Sequence, residues 1–567
     1  MKIHPMQTKQ KKHSPTDRNN PTDFILSAGL LLSVGKFSRA AGLAFVVLFI
    51  ATVSFAQDQP IESSTAMSDS AFLDLVQRTA FDFFWMEANP ANGLIKDRSA
   101  SGAPCSIASV GFGLTAICIA IDHGWITREA GRTRVLNTVK TFWEKPQGRE
   151  STGTIGYKGF FYHFLDMNTA LRAWNSELSS IDSALLLAGI LYAKQYFTEA
   201  DSLENKIRAL ADSIYYRVDW PWMRNFQPNL AGGWFPETGF IDFWWRGYNE
   251  AMIMNILGLG SPTHPIPTST WNAWTGGYAW QTHYGFSYIV FPPLFGHQYS
   301  HCWIDFRGIQ DAYMRGKGID YFENSRRATL AQRAYCIAHP EKGYSENVWG
   351  ITACDGPNGY RARGAPPAEN DDGTIAPTAA GGSIPFTPQE SIAALRYMYD
   401  TYKNQIWMKY GFRDAFNLNQ DWWGPDVIGI DEGPIIVMIE NYRTGRVWES
   451  FMQNADIQRG LERAGFAIVT SVDEKKSNQP GAFTLFQNYP NPFNPNTIIS
   501  FQLPASSHVT LKVFDVNGRE VAILADTELN AGEHQLVFDG RALNSGVYFY
   551  SMTAGAFKQT RKALLLK

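Results

Sequence analysis

The pattern of apolar and polar residues predicts a helical body between residues 67 and 466. Its first clear stripe recurs at intervals of three and four residues and comprises Phe72, Leu75, Val76, Thr79 and Phe83. A second helix is predicted over 181–197, capped by Ser180, and a third over 392–402, after a capping box at 387–390. Pro434 is predicted to begin another helix, which runs through 435–442, and Gly445 is placed to end it.

Long segments rich in Gly, Pro and Trp separate these helices, at 220–242, 261–301, 343–383 and 418–433. Loops of this length inside a compact body are uncommon and are usually functional. Antiparallel helix pairs with long loops collected at one end predict an all-α toroid. We expect six helical hairpins, an (α/α)6 barrel with a cleft at its mouth.

The hydrophobic pattern changes after residue 466. Residues 467–482 are mainly charged and polar and are predicted to be a linker. Beyond them apolar residues alternate with polar ones, and Asn517-Gly518 is a strong hairpin signal between two such runs. We therefore predict a small separate β-sandwich over residues 483–567.

Residues 1–56 are predicted to be a targeting segment. Basic residues precede an apolar run at 40–55, and Ser54-Phe55-Ala56 provides small residues for signal peptidase just before Gln57. The run of about 16 residues is shorter than the roughly 20 that span a bilayer. Export with cleavage is therefore favoured over the alternative, a single membrane anchor.

Composition and motif spacing exclude several functions. The 567-residue chain is 45% hydrophobic and 18% charged, as a globular protein is, and its formal charge of −3 does not favour nucleic acid as a partner. Its five cysteines form no CxxC pair. His297 and His301 lack an HExxH motif, and the acidic stretch at 370–373 lacks the twelve-residue calcium loop. No metal site is therefore expected, and no GxSxG, GxxxxGK or GxGxxG motif stands in a fitting context.

Aromatic residues are frequent, and half of the tryptophans fall within one segment. Phe, Tyr and Trp make up 14% of the chain, and nine of its 18 tryptophans lie between Trp220 and Trp303. Flat apolar rings match the C–H faces of sugars, while indole N–H groups bind hydroxyls. Because the segment is rich in Gly and Pro and alternates aromatic with polar residues, we expect a sugar-stacking surface. Ordinary core packing is the alternative.

Carboxyl groups occur within these aromatic stretches. Glu250 follows Trp244, Trp245 and Tyr248 at the start of an apolar helix, where burial raises its pKa and the helix dipole lowers it. A carboxyl that aromatic neighbours keep protonated near neutral pH meets the requirement for a general acid.

Asp431 and Glu432 lie in a glycine-rich turn that is predicted to precede a helix. Such a turn suits a base that orients one water molecule, and helix capping is the alternative role. Asp166, Glu177 and Asp182 lie near aromatic residues or a helix start, and Asp182 also fits plain helix N-terminal electrostatics.

Four stretches of the body resemble the glycoamylase-like domain typical of glycoside hydrolase family 144, the bacterial endo-β-1,2-glucanases. They are FFYHFLD at 160–166, SELSSID at 176–182, YNE at 248–250 followed by LGLGSPTH at 257–264, and GID at 429–431. The resemblance covers residues 72–466. It implies an (α/α)6 barrel that hydrolyses β-1,2-glucan with inversion, mainly to sophorose and short sophoro-oligosaccharides, without an organic cofactor.

This resemblance implies Glu250 as the proton donor and Asp431 as the acid on the base side. The expected substrate-binding residues are Asp166, Glu177, Asp182, Trp244, Trp245, Tyr248, His264, Trp280 and Glu432. Asp166, Glu177 or Asp182 could take the place of Asp431. Glu432 leaves open which of two adjacent acids faces the cleft.

The tail resembles the C-terminal sorting domain of the type IX secretion system. The matching stretches are FTLFQNYPNPFNP at 483–495, FDVNGREV at 514–521, SGVY at 545–548 and the terminal LLLK. The resemblance implies the type IX machinery as a partner, passage through the periplasm, and a secreted or outer-membrane surface location without a stable membrane span after processing. An accessory carbohydrate-binding sandwich is the alternative.

The sequence thus predicts an exported glucan hydrolase whose partner is a polysaccharide or oligosaccharide substrate. Two carboxyl groups across an aromatic cleft would perform general acid–base hydrolysis. A polysaccharide lyase on the same toroid, with Tyr, His and Arg acting on uronic acids, is one alternative. A non-catalytic glycan-binding surface protein is another.

Overall fold

The computed structural model describes residues 67–469, 483–488, 491–493 and 495–567. The predicted targeting segment and most of the predicted linker lie outside these residues. The body is rich in helices, as its periodicity predicts. Its α-helices are α1 Asp69–Met86, α2 Ile107–Asp122, α3 Arg128–Glu144, α4 Ser180–Tyr196, α5 Ser202–Tyr216, α6 Trp220–Arg224, α7 Met252–Gly260, α8 Thr268–Thr275, α9 Ala312–Arg315, α10 Tyr321–Ala338, α11 Pro377–Gly381, α12 Pro388–Ile406, α13 Gly429–Arg443, α14 Arg446–Met452 and α15 Ala455–Arg463.

Helix starts follow the predicted signals, with local corrections. The cap of α4 is Ser179, whose hydroxyl accepts the Asp182 N–H, so the prediction of Ser180 as the cap is wrong by one residue. Pro388 is the first residue of α12, as predicted, because its missing N–H would have no partner there anyway. The hydroxyl of Thr387 bonds to that of Ser391 and makes no cap to the backbone.

The start of α13 differs from the prediction. The helix begins at Gly429, and Pro434 lies inside it as the sixth residue. Proline at that position removes one intrahelical hydrogen bond, and buried packing compensates for the loss. Asp431 and Glu432 therefore lie in the first helical turn, where a helix favours negative charge. Gly445, with φ of 69°, follows the end of α13, as predicted.

The centre of the body is a set of helices buried on nearly every side. α13, α2, α4 and α7 pack one against the next in that order. A 3-10 turn at Tyr299–Cys302 contacts both α7 and α13 and so closes the circuit. Amphipathic helices lie outside, with α1 on α13, α5 on α4 and α15 on α7. Because an inner helix has no solvent face, its sequence is apolar all round.

Helices α2 and α4 approach so closely that glycine is required at their crossing. A Cβ on Gly189 would lie 2.0 Å from the carbonyl oxygen of Gly111, and one on Gly111 would lie 2.2 Å from that of Leu185. Since real Cβ atoms do not come that near, a larger residue would force the two helices apart.

Short β-ribbons occupy the long segments between helices. Their strands are Cys105–Ser106 with Phe164–Leu165, Gly156–Tyr157 with Phe160–Phe161, Leu178–Ser179 with Gly233–Phe235 and Gly239–Phe240, Trp280–His283 with Phe286–Ile289, Ala353–Cys354 with Arg361–Ala362, Thr374–Ile375 with Phe416–Asn417 and Trp422–Trp423, and Trp407–Met408 with Gly411–Phe412. Ala467–Ile468, within the predicted linker, pairs with Ile309–Gln310, so the body extends slightly beyond residue 466.

No helix in the described part of the chain is long and apolar enough to cross a membrane.

The C-terminal region is β-rich, as predicted. Its strands are β1 Thr484–Leu485, β2 Asn496–Leu503, β3 Ser507–Phe514, β4 Glu520–Leu529, β5 Gly532–Asp539, β6 Gly546–Ala554 and β7 Phe557–Leu565. One sheet has the order β1-β2-β5 and the other β4-β3-β6-β7, with antiparallel pairing throughout. Alternate residues such as Val509, Leu511 and Val513 are buried in one core between them. The predicted hairpin at Asn517-Gly518 joins β3 to β4.

Candidate active site

The N-terminal ends of the four inner helices meet at a cavity of about 450 Å³. Its wall carries Ser106 before α2, Asp182 in the first turn of α4, Glu250 just before α7, and Ile430 at the start of α13. The full lining is Asp97, Arg98, Ser106, His163, Phe164, Ile181, Asp182, Leu185, Glu250, Phe295, Tyr299, Ala353, Tyr360, Ala362, Ile428 and Ile430. Because helix N-termini carry partial positive charge, this arrangement favours negative charge in the cavity.

Glu250 lies in the cavity wall, half-buried, with carboxylate Oε2 fully enclosed and without a hydrogen-bond donor among the described residues. Its backbone is fixed, since its carbonyl accepts a hydrogen bond of 3.1 Å from the hydroxyl of Ser300. Burial, aided by the negative charge of Asp182, raises the pKa of Glu250 to about 7. A carboxyl that is protonated near neutral pH and open to a cavity is suited to donate a proton.

Asp182 faces the same cavity and is held by two neighbours. The hydroxyl of Ser179 donates to its Oδ2 at 2.5 Å, and Nε2 of His163 lies 3.7 Å from that oxygen. The other ring nitrogen of His163, Nδ1, lies 2.9 Å from Oε1 of Glu177. Burial opposes the charge on His163, but Asp182 and Glu177 outweigh it and raise the pKa of His163 to about 9. The cavity therefore contains an imidazolium at neutral pH.

Arg98 is a second cation in the lining. Its guanidinium donates to Asp97 at 2.9 Å and to Asp355 at 2.8 Å, with Asp426 at 4.0 Å. Despite burial, these charges raise the pKa of Arg98 above its ordinary range. The strand-like segment that carries it is tied to α13, because Gly429 N–H donates to the Asp97 carbonyl.

Asp431 lies beside the cavity and is not among its lining residues. It is only 3% exposed, and burial together with the charge of Asp414 raises its pKa well above the ordinary value. Its charge acts on two tyrosines of the lining, Tyr299 and Tyr360, and the charge of Glu250 also acts on Tyr299. The two acids predicted to be catalytic thus share one neighbour. Glu432 is equally buried, and burial raises its pKa too.

The described lining of the cavity contains no tryptophan, although the sequence predicts a sugar-stacking surface rich in tryptophan. Five of the nine tryptophans in the Trp-rich segment, Trp220, Trp234, Trp271, Trp274 and Trp303, are core residues. Aromatic contact in the cavity comes from Phe164, Phe295, Tyr299 and Tyr360. The alternative of core packing therefore applies to most of this segment.

The other predicted substrate-binding residues lie outside the described lining. Asp166 is exposed and accepts three hydrogen bonds within its own turn, from Asn168 and Thr169. His264 is also exposed, on the turn after α7. The ring of Trp280 lies in a surface hairpin, under the ammonium group of Lys317.

The aromatic residues before Glu250 support its loop. Tyr248 is buried and stacks on Tyr321. The indole of Trp245 donates to the hydroxyl of Ser180, at the start of α4. The indole N–H of Trp244 is enclosed and has no partner among the described residues. The hydrogen bond of Trp245 connects the Glu250 loop to α4, the helix that carries the second cavity acid, Asp182.

The residues weighed for metal binding have other partners. Burial lowers the pKa of His297 and of His301 to about 3, and Nε2 of His301 faces the hydroxyl of Ser325. In the acidic stretch at 370–373, Asp371 binds Lys342 at 2.7 Å and Asp372 binds Arg363 at 2.9 Å.

Sequence reasoning missed the roles of His163, Arg98, Asp97 and Tyr360. His163 was visible within the FFYHFLD stretch, but its partner Glu177 is brought to it only by backbone pairing, in which His163 N–H donates to the Glu177 carbonyl. Nothing in the local pattern around Tyr360 distinguishes it from other loop tyrosines. Tyr360 as a whole residue is 47% exposed, but its hydroxyl end is buried, and this burial together with the charge of Asp431 raises the pKa of the hydroxyl.

Residues 242–455 match the sequence model of a family described as "Putative glucoamylase". A crystal structure from Bacteroides uniformis that carries the same description is 38% identical, with 71% of this chain and 98% of that chain aligned at a TM-score of 0.65. The chain belongs to this glycoamylase-like family. An endo-β-1,2-glucanase from Chitinophaga pinensis, solved with sophorotriose and glucose, is a family relative at 32% identity, with 71% and 99% of the two chains aligned and a TM-score of 0.65.

A curated relative of this glycoamylase-like chain is an exo β-1,2-glucooligosaccharide sophorohydrolase (non-reducing end) from Parabacteroides distasonis. The two are 32% identical over 462 residues, which is 73% of this chain and 61% of the relative. The chain thus spans about three fifths of that protein's length. Residues 487–566 match a secretion-system C-terminal sorting domain. This tail indicates secretion or a cell-surface location.

Proposed function

We propose that this protein is a secreted glycoside hydrolase that cleaves β-1,2-glucan or its oligosaccharides. The observation that carries the proposal is Glu250, an enclosed carboxyl with a pKa near 7 and an unpaired oxygen in the wall of the cavity. Relatives that align over nearly their whole length include an enzyme named as an endo-β-1,2-glucanase. The substrate class is inferred from these relatives, and the acid chemistry from the cavity.

The proposed catalytic domain is an (α/α)6 barrel. The circuit of inner helices α13, α2, α4 and α7, closed by the Tyr299–Cys302 turn, supports this architecture. The outer helices and the convergence of the inner N-termini on one cavity support it further. In such a barrel the cavity would be the inner end of a cleft that receives the sugar chain.

Glu250 would act as the general acid. Its protonated carboxyl would give its proton to the glycosidic oxygen as the bond to the anomeric carbon breaks. The helix N-termini that meet at the cavity would then favour the Glu250 carboxylate that remains. This division of roles requires that Glu250 be protonated and a second acid be ionised in the same enzyme molecule.

Asp431 would act on the base side, directly or through a water molecule or a sugar hydroxyl. Its position beside Tyr299 and Tyr360 supports the relayed version, because its carboxyl lies next to the described lining. Inverting enzymes leave roughly 6.5–9.5 Å between their two carboxyls to accommodate the water, and more when a hydroxyl relays the proton. Asp182, which faces the cavity directly, is the runner-up for this role.

The route of export would be the type IX secretion pathway. The C-terminal domain would be recognised in the periplasm, and the body would be released or retained at the outer-membrane surface. A secreted location suits the substrate, because a glucan polymer is met outside the cell.

A polysaccharide lyase is the second candidate, because the lining includes Tyr299, Tyr360, His163 and Arg98, the residue types that a lyase uses. The raised pKa of His163 opposes this candidate, since an imidazolium cannot serve as the base that abstracts a proton from a uronic acid.

The experiment is a product analysis over linear β-1,2-, β-1,3-, β-1,4- and α-linked glucans. We expect sophorose or short sophoro-oligosaccharides from the β-1,2-linked polymer alone, released with inverted anomeric configuration. Unsaturated products that absorb in the near ultraviolet would establish the lyase. Binding without new reducing ends after long incubation would show that the protein is not a hydrolase.

A further inference from the structure

The buried carboxyl of Asp414 is the strongest feature that the proposed mechanism has not used. It lies between two short β-ribbons, 5% exposed. Its Oδ2 accepts the Asp355 backbone N–H at 2.6 Å, and its own N–H donates to the Asp426 carbonyl at 3.0 Å. One oxygen of the carboxyl is thus held by the Asp355 backbone, and the Asp414 backbone is held by Asp426.

The buried carboxyls of Asp414 and Asp431 act on each other, since a side-chain hydrogen bond between them is among the causes that shift the pKa of each. Oδ1 of Asp414 and Oδ2 of Asp431 are both fully enclosed and face no N–H or O–H donor among the described residues. Two carboxyl groups can form a hydrogen bond only when one of them holds a proton. Because like charges in such contact are strongly unfavourable, the pair keeps that proton over a wide pH range.

The charges around the pair favour the same conclusion. Asp355, Asp426 and Glu432 lie close by, and Arg98 is the cation that acts on the Asp414 carboxyl. Arg98 is already bonded to Asp97 and Asp355, so it does not neutralise the Asp414–Asp431 pair. The tyrosines of the cavity lining, Tyr299 and Tyr360, are the titratable groups between Asp431 and the cavity. Burial of their hydroxyls raises the pKa of both, so both are neutral.

We propose that Asp414 is a positioning residue for the base side of the reaction, which holds one shared proton against Asp431 so that the pair carries a single negative charge. This inference rests on the proposed function. In the hydrolytic step, water oxygen would bond to the anomeric carbon, and its proton would pass to Asp431, directly or through a hydroxyl. The shared proton would stay within the Asp414–Asp431 pair, which would then hold two protons and no charge, while Glu250 protonates the departing oxygen.

The test compares Asp414→Asn with wild type and with Asp400→Asn, an exposed control on α12. Asparagine keeps the oxygen that accepts the Asp355 N–H, and its NH2 group donates to Asp431. We expect kcat to fall about tenfold or more with KM within about threefold. We also expect the acidic limb of the kcat profile to move about one pH unit lower, because an amide donor lowers the pKa of Asp431.

An Asp414→Asn enzyme with a lower melting temperature but an unshifted acidic limb would overturn the proposal, because a purely structural role predicts that result. If Asp414→Asn does not fold, the unfolding free energy of wild type and Asp431→Asn is compared between about pH 4 and pH 7. The shared proton predicts that wild-type stability falls as pH rises through this window and that Asp431→Asn makes the fall less steep, while the part due to Glu250 and Glu432 remains. Equal slopes would overturn the proposal. Wild type that leaves β-1,2-glucan uncleaved would refute the proposed function instead.

Discussion

Nδ1 of His163 lies 2.9 Å from Oε1 of Glu177, and this contact turns the opposite ring nitrogen toward Asp182 in the cavity. The imidazole therefore bridges two carboxylates, one behind the cavity wall and one in it. Because its charge is matched on both sides, the ring remains protonated where a free histidine would be neutral. A neutral sugar would meet a fixed N–H donor paired with a carboxylate at this point.

The first prediction concerns the pH dependence of stability at His163. Its folded pKa of about 9 exceeds the ordinary 6.5, so its stabilising contribution is complete below pH 6.5 and is lost as pH rises to 9. The full difference is about 3 kcal/mol. Urea unfolding of wild type and His163→Gln across this range should show the two free energies converging. Glu177→Gln should give a smaller change of the same sign, and parallel curves would contradict the assignment.

A second prediction concerns the alkaline limb of activity. Since Glu250 must carry a proton to act as the acid, kcat/KM should decline above a pH of about 7. The negative charge of Asp182 contributes to this raised pKa, so Asp182→Asn should move the limb to lower pH. The measurement is a pH–rate profile on a soluble sophoro-oligosaccharide. A limb that moves upward, or that remains in place while the variant stays active, would refute the electrostatic link.

Local sequence signals predicted some helix ends well and others poorly. Pro388 and Gly445 act at helix ends through their own backbone conformation, which a short window of sequence can show. Pro434 misled the prediction of α13, because proline is favoured at a first position and is here tolerated inside a buried helix.

The site residues divide in the same way. The places of Glu250 and Asp182 in the cavity wall were predictable, because each lies in a local motif at the start of a helix. Arg98, Tyr360 and Asp414 were not, since their partners are hundreds of residues away or across a ribbon. The high tryptophan content of residues 220–303 predicted a sugar-stacking surface, but most of these tryptophans are buried in the core. In a large helical domain such rings also serve as core packing.

A third prediction concerns Arg363, which is fully buried beneath the ribbon that carries Tyr360. Its guanidinium binds both oxygens of Asp372, at 2.9 and 3.1 Å, and the Cys354 carbonyl at 2.7 Å. Arg363→Met should lower the unfolding free energy by about 2–4 kcal/mol, below the full cost of breaking a buried pair because Asp372 keeps some solvent.

The same variant should raise KM more than it lowers kcat, because the ribbon shapes the cavity without supplying the reacting groups. Arg361→Met, at the exposed neighbouring position on the ribbon, is the matched control and should alter neither value appreciably. Unchanged KM in a destabilised Arg363→Met enzyme would show that Tyr360 is positioned by other contacts.

The most direct test of the whole account is the release of reducing ends from linear β-1,2-glucan by Glu250→Gln, with Glu462→Gln on the exposed face of α15 as control. Glutamine keeps the shape of the side chain but cannot give up a proton, so we expect kcat to fall about a thousandfold while the melting temperature is retained. The control should stay within about twofold of wild type. Near-normal hydrolysis by a folded Glu250→Gln enzyme would contradict the central claim that this cavity carboxyl is the proton donor.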